Sequence, residues 1–191
     1  MQQTRVKLGL KDQGRPVRLE EFCAAEFEEP YRYERMGGRL VVMSPSGLRH
    51  NRIVSETMEA LFAYKAGRRG VIELIVPEAW LGPGEEHDRI ADIGVYLVAD
   101  APQSEVQRER VAGVVFEVVS EGSEERDYVI KRKEYFDAGV REYVIVDPLR
   151  RAVTVLVRGE SGFVDRELGE GDVYRSGQLP GFELRVSDLP F

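Results

Sequence analysis

The chain has one cysteine in 191 residues, Cys23. No intramolecular disulfide can form, and a zinc site built from several thiolates is excluded. Cys23 lies in LEEFCAAEF among apolar neighbours at helical spacing, which predicts a small buried hydrophobe. No run of 18 apolar residues occurs, and the start shows no signal-peptide pattern. The expectation is a cytoplasmic chain with no membrane partner. A basic excess is also missing: 27 Lys and Arg face 34 Asp and Glu, for a net charge of −7. General nucleic-acid binders carry a basic footprint. A nucleic-acid function would therefore rest on a local site, with metal ions offsetting the acidic groups. Internal repeats, low-complexity tracts and linkers are absent as well.

The hydrophobic content of 42% supports a real core, and the length favours one domain. Residues 1–16 are polar, carry Gly and Pro, and read as a loose tail, which leaves 17–191 as a single domain. VRLEEFCAAEFEE reads as a short helix, and YRYERMGGRLVVMSP as a hairpin turning at Gly37-Gly38. HNRIVSETMEALFAYKAG reads as a helix with Ile53, Val54, Met58, Leu61 and Phe62 on one face and Gly67 as its stop. Three strands follow: GVIELIVPEAWLG, broken or bent at Pro77; ADIGVYLVA; and AGVVFEVVS. A helix from about Glu125 to Ala138 ends at Gly139, and REYVIVD is a strand stopped by Pro148. The remainder reads as short β segments with turns at Gly159 to Gly162 and Gly169 to Gly171. This order predicts an α/β sandwich, a mixed sheet with helices packed on it.

Two strands carry a carboxylate against their apolar character. Asp92 opens the strand in RIADIGVYL, and Glu117 sits inside VVFEVVS. A buried carboxylate must find a partner or shift its pKa. Two of them on neighbouring strands repel unless a cation lies between them. Mg2+ is held by one or two carboxylates with waters and substrate phosphates. The other resolution is a structural salt bridge to one of the arginines, and the strands alone leave both open. Asp127, Lys131, Tyr135 and Ala138 are spaced by four, four and three, so they share a helical stripe. With Tyr128 this stripe is expected to face the sheet. Lys131 then reaches the Glu117 region as a point charge, or snorkels to solvent along the tyrosines, while Lys133 points away. His50 shares the apolar face of its helix and either lines a cleft or is capped by the loop before it. His87 reads as surface, and Glu34 as the partner of an arginine.

These residues resemble the Uma family of restriction-endonuclease-like proteins, within the PD-(D/E)XK nuclease superfamily. The resemblance rests on Tyr33-Glu34, Met43-Ser44-Pro45, His50, Asp92, Glu117-Val118 with Ser120, Asp127, Lys131, Tyr135, Ala138-Gly139-Val140, Glu142-Tyr143, Asp147-Pro148 and Leu179-Pro180-Gly181. It covers about residues 20 to 191 and is most specific from Glu117 to Pro148. Ala91 stands where the family has the proline of its PD pair. Val119 stands at the basic position of (D/E)XK, and Lys131 matches relatives whose lysine comes from the next helix. Tyr143-Val144 replaces the usual Tyr-Trp.

The resemblance implies a restriction-endonuclease-like mixed β-sheet flanked by helices, with an N-terminal β-hairpin and extra C-terminal β segments. It implies an endonuclease acting on DNA, in which Asp92, Glu117 and a main-chain carbonyl near Val118 hold Mg2+, or Mn2+ in its place. Lys131 would orient or activate the attacking water, His50 or Glu34 would complete the site, and two copies would pair as a homodimer. Two alternatives stay open at this stage. One is a non-catalytic relative serving as a binding or dimerisation module, and the other is a metal-dependent hydrolase of another phosphoester.

Overall fold

A computed structural model of the chain describes residues 6–100 and 104–191. Strands β1 (Lys7–Leu8) and β2 (Glu26–Phe27) flank the short helix α1 (Leu19–Ala24). Next come β3 (Arg32–Met36), β4 (Arg39–Met43) and the long helix α2 (Leu48–Gly67). Strands β5 (Ile72–Gly84) and β6 (His87–Leu97) form a second hairpin, followed by β7 (Val114–Val118). A π-helical turn over Arg126–Ile130 opens into α3 (Lys131–Asp137), which crosses to β8 (Glu142–Asp147). Strands β9 (Ala152–Arg158), β10 (Phe163–Leu168), β11 (Val173–Arg175) and β12 (Glu183–Arg185) follow.

Eight strands of the described residues make one mixed sheet in the order β10-β9-β8-β7-β6-β3-β4, with β5 added along β6. Only β7 and β8 run parallel within it, because α3 is the crossover between them. Gly37 and Gly38, at φ of +56° and +69°, supply the left-handed residues that the tight β3–β4 turn requires. The break or bend expected at Pro77 takes another form. Pro77 pairs with Ile93 inside a strand that runs on to Gly84. Strand β5 lies at an edge, where a missing N–H costs no ladder bond. The irregularity falls one residue later, at Glu78, whose φ is +48°.

Alternation along β7 builds the two faces of the sheet. Val114, Phe116 and Val118 join Ile53 and Leu61 of α2 in one core. Val115 and Val119 join Tyr135 of α3 and Tyr143 of β8 in the other. Tyr135 and Tyr143 meet edge to face, with centroids 5.0 Å apart. Glu117 has the parity of Val115 and Val119, so period two alone aims it at α3.

The strand that carries Asp92 is longer than the sequence suggests. Asp92 lies in the middle of β6 rather than at its start. Around it, β6 changes partner: Ile93 to Val95 pair with β7, whereas Asp88 pairs with Arg35 of β3. The sheet therefore forks beside Asp92, and the end of β7 borders the gap.

Two expectations are corrected near the N-terminus. The loose tail proposed for 1–16 is docked from Lys7 onward, while residues 1–5 lie outside the described residues. Strand β1 pairs with β2, Pro16 bridges to Arg39, and Leu8 is fully buried with Val17, Phe22, Tyr33 and Leu40. The apolar Leu8 gains more from this third small core than the polar residues around it lose. Cys23, expected to be buried, is exposed. In a helix of six residues only one position faces inward, and Phe22 takes it.

Leu8→Ala is expected to lower unfolding stability by about 2–5 kcal/mol, as for other fully buried leucines. Urea denaturation would measure this, and a change near zero would return the segment to a loose tail.

Candidate active site

The fork opens onto a cavity of about 430 Å³, whose walls include Asp92, Glu117, Lys131, His50 and Arg32. Each wall belongs to a different element. Asp92 comes from β6, Glu117 and Val118 from β7, Lys131 from the start of α3, His50 from the first turn of α2, and Arg32 and Glu34 from β3. The structure thus brings Asp92, Glu117 and Lys131 together, as the sequence reading expected, and adds both His50 and Glu34.

Every buried charge here has a named partner. Glu117 Oε1 accepts hydrogen bonds from Lys131 Nζ at 2.7 Å and from the Tyr135 hydroxyl at 2.6 Å. Lys131 Nζ also lies 3.3 Å from Asp127 Oδ1 and 3.9 Å from Glu34 Oε1. It is 3% exposed, so it does not snorkel to water. Lys133 points outward and pairs with Asp137 at the surface. Asp92 Oδ2 accepts the Val118 N–H at 2.8 Å, and Oδ1 lies 3.2 Å from both His50 Nε2 and Arg32 Nη1. The Ser120 hydroxyl stands 3.4 Å from the other ring nitrogen of His50. Glu34 accepts from Arg89 Nη1 at 2.8 Å and from the Ile90 N–H at 3.0 Å. Arg89, with no exposed surface, also grips Glu134 of α3 with two bonds of 2.6 and 2.8 Å. His87, expected at the surface, is half-buried, with Nδ1 2.9 Å from Glu134.

These partners shift the carboxyl groups in opposite directions. Burial raises Asp92, but the His50 hydrogen bond and the charges of Lys131 and Arg32 hold it well below the usual carboxylate range. Burial also raises Glu34, and Lys131 with Arg89 brings it down. Glu117 goes the other way. Burial, with the charges of Asp92 and Asp127, pushes it up to about 8 against the pull of Lys131. Burial opposes a charge on Lys131, yet Glu117 and the carboxylates around it keep its pKa above the ordinary lysine value. Burial is thus the largest contribution at Glu117, and the pull of Lys131 does not cancel it.

Glu142 shows what a purely structural carboxylate looks like in this fold. It is fully buried and is closed off by Tyr174, Ser176 and the Gly177 N–H, away from the cavity.

A model of the Uma2 family, described as "putative restriction endonuclease", matches residues 19–187. The chain belongs to the Uma2 family. No match is found among curated proteins. Among solved structures, this Uma2 chain is similar to the crystal structure of "a putative nuclease belonging to DUF820" from Anabaena variabilis. The TM-score is 0.74 over 91% of this chain and 97% of that one, at 19% identity. The likeness establishes the restriction-endonuclease-like fold. No helix of the described residues is long and apolar enough to cross a membrane.

The sequence reading of this Uma2 member missed three groups. Arg32 was two residues from Glu34 in a strand, so alternation already put both on one face. Tyr135 was placed on the inward stripe without its bond to Glu117. The Arg89–Glu134 pair spans 45 positions and leaves no local signal.

A carboxyl with a raised folded-state pKa binds its proton more tightly folded than unfolded. Stability from that group is then lost as pH rises. In metal-free protein, stability is expected to fall as pH climbs from about 4.5 to about 8 on account of Glu117. The isosteric Glu117→Gln has no such proton to lose, and the difference between the two proteins across this window, read by thermal unfolding, isolates the residue. Parallel pH curves would mean that Glu117 titrates like an ordinary carboxylate.

Proposed function

We propose that this chain is a Mg2+-dependent endonuclease that hydrolyses DNA phosphodiester bonds. The observation that carries the reading is the placement of Asp92 and Glu117 at a forked sheet, with Lys131 bonded to Glu117 and a cavity in front. Family membership supports the reaction class, and the shared fold supports the framework on which such a site is built.

The donor set fits a divalent cation. The hydrogen bonds of Glu117 fall on Oε1, which leaves Oε2 without a partner among the described residues, and Glu117 lines the cavity. A dication would add positive charge beside a carboxyl that burial first, with Asp92 and Asp127, holds above its usual range. Within a strand, the N–H and C=O of a residue point to the same side. Val118 directs its N–H to Asp92, so its carbonyl faces the fork as well. Asp92, Glu117 and the Val118 carbonyl would hold Mg2+, with Mn2+ as a substitute. When bound, the ion supplies Lewis-acid stabilisation of phosphoryl charge and makes water a stronger nucleophile at neutral pH.

The chain's own residues supply the rest. Hydrolysis adds water across a P–O bond, and negative charge grows on the phosphoryl oxygens. Lys131 keeps its proton under the surrounding carboxylates, so it acts as a hydrogen-bond donor and a fixed charge rather than a base. The Val118 N–H and His50 fix the orientation of Asp92. Arg89 holds Glu34 against Lys131 and ties both to α3. A duplex has two strands to cut, and two copies of the chain would present two such sites.

One observation favours the second reading, a binding or dimerisation module. Among the described residues, no group of three or more His, Cys, Asp or Glu is gathered as a ready metal cage. Mg2+ asks for less, since one or two carboxylates with waters and substrate phosphates suffice.

Incubation with plasmid DNA and Mg2+ is expected to give nicked and linear products, and chelation to stop their formation. Asp92→Asn and Glu117→Gln should each abolish cleavage while circular dichroism shows an intact fold. Lys131→Met, which keeps the aliphatic stem, should lose on the order of 10²-fold or more in rate. Lys133→Ala should cut at the normal rate. Full cleavage by Glu117→Gln would remove the site assignment, and a folded wild type with no cleavage would favour the second reading.

A further inference from the structure

Beside the cavity, and sharing Arg32 and Ile90 with it, runs a second groove of about 320 Å³. Its walls are aromatic: Phe22, Phe27, Tyr31, Tyr33 and Trp80. The rings hold one another in place. Phe27 stacks on Tyr33 at 4.6 Å, and Phe22 meets Phe27 and Trp80 edge-on at 5.2 and 6.1 Å. The Trp80 indole N–H is anchored to Asp88 at 3.0 Å. Phe27 is 37% exposed, and Tyr31 and Trp80 are half-buried, so ring faces remain open to a ligand.

Charge decides what such a groove accepts. Among the described residues its only cation is Arg32, which is already balanced by Asp92 at 3.2 Å and Glu78 at 3.4 Å. An anionic phosphate gains nothing there, whereas a neutral planar ring gains stacking. Arg32 Nη2 is buried without a hydrogen-bond partner among the described residues, and it stands at the border between groove and cavity.

We propose that this groove is a nucleobase subsite, in which an unpaired base of the DNA strand stacks on Phe27, Tyr31 and Trp80 while its phosphate lies in the neighbouring cavity. The inference rests on the nuclease reading and adds that cutting is favoured where a base next to the scissile phosphate is unpaired, as at locally opened stretches of a supercoiled plasmid. Paired bases are stacked inside the duplex and cannot enter. Sequence-tolerant stacking on aromatic side chains is how single strands are commonly held.

The chain carries its own reporters, since its one tryptophan, Trp80, and its one cysteine, Cys23, both line the groove. The full chain in Mg2+ would be titrated with a short single-stranded oligodeoxynucleotide of cleavage-resistant phosphorothioate linkages. The same strand with abasic sites, and a blunt duplex, serve as controls. The expected result is saturable quenching of Trp80 emission and slowed alkylation of Cys23 by the base-bearing strand alone. Phe27→Ala and Tyr31→Ala, checked for intact folding, should each weaken binding about tenfold. Equal responses to the abasic strand, or unchanged binding in both variants, would overturn the proposal. The two readings fail separately. Mg2+-dependent cleavage with Trp80 and Cys23 undisturbed removes the subsite and leaves the nuclease. Quenching and protection without any cleavage leave the subsite and remove the nuclease.

Discussion

The contact between the Glu117 carboxyl and Lys131, 2.7 Å apart and nearly dry, is the constraint to which the rest of the site answers. A buried pair seldom stabilises a fold more than well-packed apolar side chains would, and losing one partner costs about 3–5 kcal/mol. Placing Glu117 between Val115 and Val119 therefore makes sense only if the carboxylate has work to do. Its environment agrees. Burial raises its pKa more than Lys131 lowers it, Asp92 and Asp127 add to the rise, and Glu117 borders the cavity. Glu142, also raised by burial, differs in being saturated by neutral donors in a closed pocket away from the cavity.

The fork in the sheet makes the arrangement possible. Strand β6 pairs with β7 over one stretch and turns toward β3 over the other, so Asp92 faces a gap instead of a neighbouring strand. The loosened edge also frees the Val118 N–H for Asp92. Behind the gap, Arg89 clamps β3 to α3 through Glu34 and Glu134 and keeps the helix that carries Lys131 against the sheet. The π-helical turn just before Lys131 is of a kind often found at functional sites.

Much of this was legible in the sequence, where periodicity carried it. The apolar run VVFEVVS marked the strand and the out-of-place carboxylate inside it, and only the structure gave the face of Glu117. The spacing of Asp127, Lys131 and Tyr135 separated an inward lysine from the outward Lys133. Gly37-Gly38 announced the hairpin turn. What escaped had no local signal or too little chain to show one. A two-residue strand such as β1 has no period, so the docked N-terminal segment looked loose. Cys23 and Phe22 are adjacent on a helix of six residues, and nothing in that pattern says which of them faces in. The fork and the Arg89 clamp depend on residues far apart in the chain, and only the folded sheet brings them together.

The most direct test of this account is calorimetric titration of Mn2+ into the wild type and into Glu117→Gln at neutral pH. The account predicts that the wild type binds the ion and releases protons as it does, because Glu117 starts above the usual carboxylate range, whereas the variant binds weakly or not at all. Equal binding by both proteins would contradict it. Glu117 would then be half of a structural salt bridge, and its charge would serve the fold alone.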